Sequence, residues 1–338
     1  MMLTERPLSD RQAALQLAVD GLTAGRETVL VTVLSTYGSA PRRPGSIWAI
    51  VDPEAARPRT QGSISGGCIE DDLLDWLAQR PAHREHGKPV IRSYDGRDHP
   101  GLPCGGSLSV LVEWPRQPAD LEPALAAVSR REAVWRDVDL ASGAVSWRPA
   151  TTPVAEAPHR DERMLAVPFG PAWRLVIVGA GPVADHLAPQ AGALGFEVIV
   201  CDPRPGADHA PAAASLSTEA PERLFARLDL DEHTAVVAVA HDPRLDDLAL
   251  IDALESPAFH VAAMGGAGTS RARRDRLASL GIDASRLRAP AGLDIGSHTP
   301  AEIAVSIAAE LVAARSLARH RAEGVTGVPL ARMSLDAD

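Results

Sequence analysis

The feature that most restricts this chain is the alternation in its second half. From about residue 173 to 320, short runs rich in valine, isoleucine and alanine alternate with segments of helical period. RLVIVGAG reads as a strand and glycine turn, PVADHLAPQAGALG as a helix closed by Gly195, and FEVIVCDPR as strand and turn. TAVVAVAHD reads as a strand, LDDLALIDALES as a helix, FHVAAMGGAG as a strand and TSRARRDRLASLG as a helix. The last helix, TPAEIAVSIAAELVAARSLAR, has its own start signal, with Thr299 as N-cap, Pro300 at the first helical position and Glu302 at the third. Such alternation forces parallel strands, because each helix carries the chain back to the same end of the sheet. The expected fold over 173–325 is therefore a Rossmann-like, doubly wound parallel sheet.

The first part, 1–115, reads as a separate α/β domain. A helix over 10–25 precedes the β-branched run TVLVTVLST, then SIWAIVD, the loop GSISGGC, a helix IEDDLLDWLAQ, a strand PVIRSYD, the long loop GRDHPGLPCGG and a strand SLSVLVEW. Residues 116–172 are less regular: one helical stretch near 119–130, a hairpin with Ser142-Gly143 in its turn, and several prolines. They read as a connector with short strands of its own.

Composition narrows the function. The 338 residues carry a formal net charge of −10, which argues against nucleic acid as partner. No window is apolar enough to span a membrane, and MMLTERPLSDRQ has no apolar core of a secretory signal. Three cysteines without a CxxC spacing suggest neither a disulfide framework nor a structural zinc. A cytoplasmic, reduced protein is expected.

Five motifs, one of them a pair of loops, carry candidate chemistry. In VIVGAGPVADHL, Gly179 and Gly181 form a dinucleotide-type turn with Ala184 in place of the third glycine, and Asp202 ends the next strand where an acid would bind ribose hydroxyls. The bland alternative is a Rossmann turn without a nucleotide. In AVAHDPRLDD, His241 stands at a strand's C-terminal end and Asp242 can cap the following helix; a structural histidine is the alternative. In AAMGGAGTSRARRDR, Gly265 and Gly266 lead into a helix with Thr269 or Ser270 as cap and Arg271, Arg273 and Arg274 behind, which suits a phosphate or a solvated basic face. In GSISGGCIE and PCGG, Cys68 and Cys104 lie against Gly66, Gly67, Gly105 and Gly106, where backbone amides can face a bulky anion or pterin. A helix start favours a thiolate at Cys68, but Glu70, Asp71 and Asp72 oppose it. Buried structural cysteines are the alternative there. Arg42 and Arg43 in STYGSAPRRPGS form a weaker anion signal. No GxSxG follows a strand and no HExxH occurs.

Taken in order, GSISGGCIE, DGRDHPGLPCGG, LVEW, VIVGAGPVADHLA, AHDPRLDDLAL and APAGLDIGSHTPAEIAVSIAAEL resemble the XdhC/CoxI family, the xanthine dehydrogenase accessory factors, over roughly 28–114 and 173–315. The resemblance implies a non-catalytic maturation factor or chaperone rather than an enzyme. It would bind the molybdenum cofactor (molybdopterin or its cytosine dinucleotide form), hold it while a cysteine desulfurase supplies the sulfido ligand, and insert it into a molybdenum hydroxylase client. Carried onto this chain, the family's loops are Gly66-Gly67-Cys68, Cys104-Gly105-Gly106, Gly179 with Gly181, His241-Asp242, and Pro290, Gly292, Leu293 and Asp294. Cys68 or Cys104 would handle sulfur or contact molybdenum, and the phosphate end would meet Gly265, Gly266 and Arg271. One departure stands out: Met264-Gly265-Gly266-Ala267-Gly268-Thr269-Ser270-Arg271 is richer in glycine than the family's Gly-Ser-Arg run. The apolar last helix makes a homodimer the expectation. An NAD(P)-dependent oxidoreductase using the glycine turn, Asp202 and His241 is the alternative, and a scaffold that only docks a partner enzyme is a third class.

Overall fold

The computed structural model describes residues 9–38, 42–67, 69–79, 88–95, 106–150, 157–207 and 209–322. The chain divides into two compact units, Leu8–Pro171 and Ala172–Asp338, the latter counted with Met1–Pro7.

The first unit opens with α1 (Asp10–Thr23), whose N-cap Ser9 and Gln12 make a reciprocal capping box. β1 (Thr28–Tyr37), β2 (Ile47–Val51) and β3 (Arg59–Gly62) follow, then α2 (Glu70–Gln79), β4 (Val90–Asp95) and β5 (Ser107–Glu113). The strands form one antiparallel sheet in the order β3-β2-β1-β5-β4. β1 is central, and its first six residues, Thr28–Val33, are buried, which is why that stretch is nearly all β-branched and apolar. Val29, Val31 and Val33 pack with Leu73 and Leu77 of α2, while Leu30 packs with Leu15 and Ala18 of α1.

The segment expected to be a connector has a fuller architecture. It holds α3 (Glu122–Ser129), β6 (Val134–Asp139), β7 (Val145–Pro149), β8 (His159–Arg160) and β9 (Met164–Phe169), paired antiparallel as β7-β6-β9-β8. Leu121, Val138, Leu165 and Phe169 share one core with Leu15, Leu30 and Leu111. A buried ion pair joins the two sheets: Arg136 Nη1 lies 3.0 Å from Glu113 Oε1, and Arg136 Nε donates to the Asp120 carbonyl.

The second unit contains β10 (Arg174–Val178), α4 (Pro182–Ala193), β11 (Glu197–Cys201), β12 (Ala214–Ser217), α5 (Pro221–Leu228), β13 (Thr234–Ala238), α6 (Pro243–Glu255), β14 (His260–Ala263), α7 (Ala267–Ser279), β15 (Leu287–Arg288) and α8 (Pro300–Ala322). All six strands are parallel, in the order β12-β11-β10-β13-β14-β15. This is the doubly wound Rossmann order expected from the alternation. Leu175 and Ile177 face Leu187 of α4 and Ile307 and Leu311 of α8. Val176 and Val178 face Leu224 of α5, Leu250 of α6 and Leu277 of α7. Each such buried leucine or isoleucine contributes about 1.5–3 kcal/mol. β12 and α5 fall in or beside a stretch that reads as an Ala/Pro-rich loop, because Pro211 and the alanines mask a short edge strand. The strand order reverses between β10 and β13, so the loops after those strands meet at the C-terminal edge where open α/β sheets bind ligands.

Candidate functional site

The turn after β10 is built by a glycine without which the backbone would collide. Gly179 has φ +109, and a Cβ there would stand 2.5 Å from the Ala240 Cα at the end of β13. Its N–H donates to the Cys201 carbonyl, tying the turn to β11. Gly181 is the N-cap of α4, makes no side-chain cap, and has nothing within 4 Å of where a Cβ would be. Pro182 takes the first helical position, where a missing N–H costs nothing. The start of α4 is thus clear of side chains, the condition for a phosphate to reach helix amides.

Asp202 sits at the end of β11 as expected, but its carboxylate is occupied. It is buried; Oδ2 accepts from the Ala180 amide at 2.8 Å and from Arg204 Nη2 at 2.6 Å, while Oδ1 accepts from the Arg204 amide and from Nε at 2.9 Å. Burial would raise its pKa, yet the Arg204 and Ala180 hydrogen bonds win and hold it below the usual carboxylate range. Arg204 Nη1 also donates to the Ala240 carbonyl at 3.3 Å, so its guanidinium spans the ends of β11 and β13. Sequence reading passed over Arg204; the available signal was an arginine two residues after the ribose-type acid. Cys201, beside Asp202, is fully buried, and burial pushes its thiol up to about 12, so it is inert.

His241 and Asp242 follow β13. His241 is exposed and holds φ +59, an uncommon left-handed state for a non-glycine residue at a strand end. Asp242 caps α6 as expected: its Oδ1 accepts from the Arg244 amide at 3.0 Å.

The loop after β14 corrects the sequence expectation in two respects. The N-cap of α7 is Gly266, and Thr269 and Ser270 lie inside the helix, because the glycine-rich run begins the helix earlier than the hydroxyl residues suggested. The arginines divide by register. Arg273 is buried; its Nη2 lies 3.1 Å from Asp246 Oδ2, Nε donates to Asp247 and Nη1 to the Met264 carbonyl. Arg274 donates to the carbonyls of Leu287 and Ala289. Both hold α7 in place; Arg273 is withdrawn from any phosphate, whereas Arg274 remains exposed while it donates to those carbonyls. Arg271 is exposed and has no partner among the described residues. Gly265 has φ +149, and a Cβ there would stand 3.1 Å from the Thr269 side chain; Gly266 and Gly268 have nothing within 4 Å of a Cβ.

The late loop is fixed to α8. The Gly292 amide donates to Glu310 Oε2 at 2.9 Å, and His260 Nε2 lies 3.3 Å from the same oxygen. Burial raises the Glu310 pKa, but His260 and the amide lower it further, for a net fall. Ser306 Oγ donates to the Leu293 carbonyl, and Asp294 is left exposed. The Thr299–Glu302 capping box closes α8 as expected.

In the first unit, the acid that followed Cys68 has a defined role. The carboxylate of Glu70 accepts from Ser63 Oγ at 2.7 Å, from the amides of Ile64, Ser65 and Gly67 at 3.0 Å, from Ser65 Oγ, and from the Ile69 amide at 3.3 Å. Burial alone would raise its pKa; the Ser65 and Ser63 hydroxyls with the Ser65 and Ile64 amides reverse this and lower it to about 2. Gly66 and Gly67 take positive φ around this hub. Gly106 is buried beneath the end of β1, its Cα 3.2 Å from where a Gly38 Cβ would stand. Arg42 reaches Asp10 at 3.3 Å. Cys68, Cys104 and Gly105 lie outside the described residues. Among the described residues no group of three or more His, Cys, Asp or Glu is placed to hold a metal ion, and no helix is long and apolar enough to cross a membrane.

Comparison with known proteins gives the family. Residues 175–311 match the XdhC Rossmann domain, and residues 22–95 match the XdhC and CoxI family. The chain belongs to the XdhC/CoxI family. It is similar to a probable xanthine dehydrogenase subunit of Bacillus subtilis, 28% identical over 86% of this chain and 93% of that one. It is also similar to the molybdenum cofactor insertion chaperone PaoD of Escherichia coli, 27% identical over 90% of this chain and 89% of that one. A crystal structure described as a xanthine dehydrogenase from Bacillus halodurans superposes with a TM-score of 0.71 at 24% identity, covering 92% of this chain and 96% of that one, which shows a shared fold.

Proposed function

We propose that this XdhC/CoxI protein binds the molybdenum cofactor as cargo, holds it while a cysteine desulfurase supplies the terminal sulfido ligand, and inserts it into a xanthine dehydrogenase-type molybdenum hydroxylase. The observation that carries this reading is the similarity, over nine-tenths of this chain, to a molybdenum cofactor insertion chaperone. The site's chemistry is compatible with it. A phosphate-bearing cargo finds two helix starts, those of α4 and α7, without side-chain caps, and the exposed Arg271 on α7 to balance its charge. Thiolates are soft ligands suited to molybdenum, so Cys68 and Cys104 are assigned to the metal end, in either the molybdopterin or the cytosine dinucleotide form. Gly66, Gly67 and Gly105 are assigned to the pterin's approach to backbone, whereas buried Gly106 lets the end of β1 pack at Gly38. His241 and Asp242 border the same C-terminal sheet edge as the glycine turn. The protein works in the cytoplasm without turning over a substrate, as a homodimer through the α8 face that exposes Val305 and Val312.

The test is mass spectrometry of pterin and metal on protein purified under anaerobic, reducing conditions from cells with active cofactor synthesis. Retained molybdopterin with molybdenum is the expected result. A bound nicotinamide nucleotide with neither pterin nor molybdenum would instead establish an NAD(P)-dependent oxidoreductase.

A further inference from the structure

The two halves of the Rossmann turn are in different states, and the difference points to a selection against nucleotides. The phosphate half is open: Gly181 leaves its surroundings clear, and α4 begins without a side-chain cap. The ribose half is filled from within. In a dinucleotide site, the acid ending the second strand accepts hydrogen bonds from the ribose hydroxyls. Here that acid, Asp202, already accepts four hydrogen bonds, three of them from Arg204 and one from the Ala180 amide.

We infer that Arg204 is a specificity-determining residue that closes this turn to the ribose diol of NAD(H). Its Nε and Nη2 take both carboxylate oxygens side-on, the strongest geometry for such a pair, and Nη1 anchors the group to the Ala240 carbonyl across the mouth of the turn. A ribose would have to displace a charge-assisted bidentate pair and leave the Asp202–Arg204 contacts broken, while gaining only hydroxyl donors in return. Nor does Arg204 turn the station into a phosphate-selecting one. Asp202, Asp242 and Asp246 all bear electrostatically on its guanidinium, so a 2′-phosphate entering there meets three carboxylates. What remains admissible is a phosphate ester that carries no diol at the end of β11. A protein that keeps a Rossmann turn for a scarce cargo gains from such exclusion, because abundant dinucleotides would otherwise compete for the same helix start. The inference rests on the geometry of the turn and stands whichever cargo the site carries.

The experiment is fluorescence titration of NADH and NADPH against the full chain and against Arg204→Ala and Arg204→Met. Wild type is expected to bind neither below millimolar concentration. Both variants are expected to bind NADH at least about tenfold more tightly than wild type, since a freed carboxylate regains the diol. Asp202→Asn in the Arg204→Ala background should remove that gain, which separates it from a general loosening of the fold. Wild type binding NADH as tightly as the variants would overturn the inference, as would variants that keep wild-type circular dichroism and gain no NADH affinity. Wild-type preference for NADPH over NADH, lost in the variants, would also overturn it and assign Arg204 to 2′-phosphate recognition.

Discussion

At the scale of single residues, the structure turns two sequence-level puzzles into determinate roles. Glu70, a charge the sequence sets beside Cys68, is the internal anion around which Ser63, Ile64, Ser65, Gly67 and Ile69 close their loop. Its folded pKa of about 2 lies below the ordinary carboxylate value, so its stabilisation is complete above the unfolded pKa and is lost as pH falls through the folded one. Glu70→Gln should cost roughly 2–3 kcal/mol at pH 7 in chemical denaturation, and the gap between wild type and variant should narrow from about pH 5 down to about pH 2. A gap unchanged across that window would show that the loop does not depend on the charge. The arginines of α7 make a second contrast. Arg273→Ala strands buried Asp246 and is expected to destabilise by about 3–5 kcal/mol, whereas Arg271→Ala should leave the melting temperature unchanged while weakening retention of phosphate-bearing cargo. Sequence could not separate them, because which arginine faces inward depends on where α7 begins, and that start is two glycines and an alanine earlier than its hydroxyl residues imply.

At the scale of elements, the strand–turn–helix unit of β10, Gly179–Gly181 and α4 separates a structural glycine from a functional one. Gly179→Ala places a Cβ against Ala240 at positive φ and should cost roughly 2–5 kcal/mol in unfolding free energy. Gly181→Ala meets no atom within 4 Å, at φ −124, so thermal melting should be close to wild type. If Gly181 serves a ligand's approach to the helix start, that same variant loses cargo binding; a variant that keeps it removes α4 from the site. The glycine turn itself was legible in the sequence, since a strand, two spaced glycines and a helix admit few other conformations. The internal occupation of Asp202 was not, because an arginine two residues downstream can reach back or point to solvent, and the Ala240 carbonyl in the loop after β13 holds it in the first arrangement.

At the scale of the molecule, each unit has its own apolar interior, and the chemistry expected from sequence is distributed over both. Cys68 and Cys104 belong to the first unit, the glycine turn and Arg271 to the second. Of the three cysteines, Cys201 is buried with its thiol at about 12, so native alkylation at pH 8 should leave it unlabelled until denaturant is added. Cys104→Ala should keep the wild-type circular dichroism spectrum yet lower the molybdenum content of a co-expressed hydroxylase several-fold; undiminished delivery would remove Cys104 from sulfur or metal handling.

The sequence by itself determined the parallel sheet, its helices on both faces, the glycine turn, the Asp242 and Thr299 caps, and a family membership that its ordered motifs carried. These are local patterns, written in apolar period, glycine spacing and capping residues a few positions apart. Only the tertiary structure decided that β6–β9 form a sheet sharing a core with α1, that Glu70 organises its loop, and that Arg204 fills the ribose station of the turn. The shared core depends on residues far apart in the chain. Glu70 and Asp202 take most of their donors from a few residues away, but which of those donors turn toward the carboxylate is set by the loop conformation that the fold imposes.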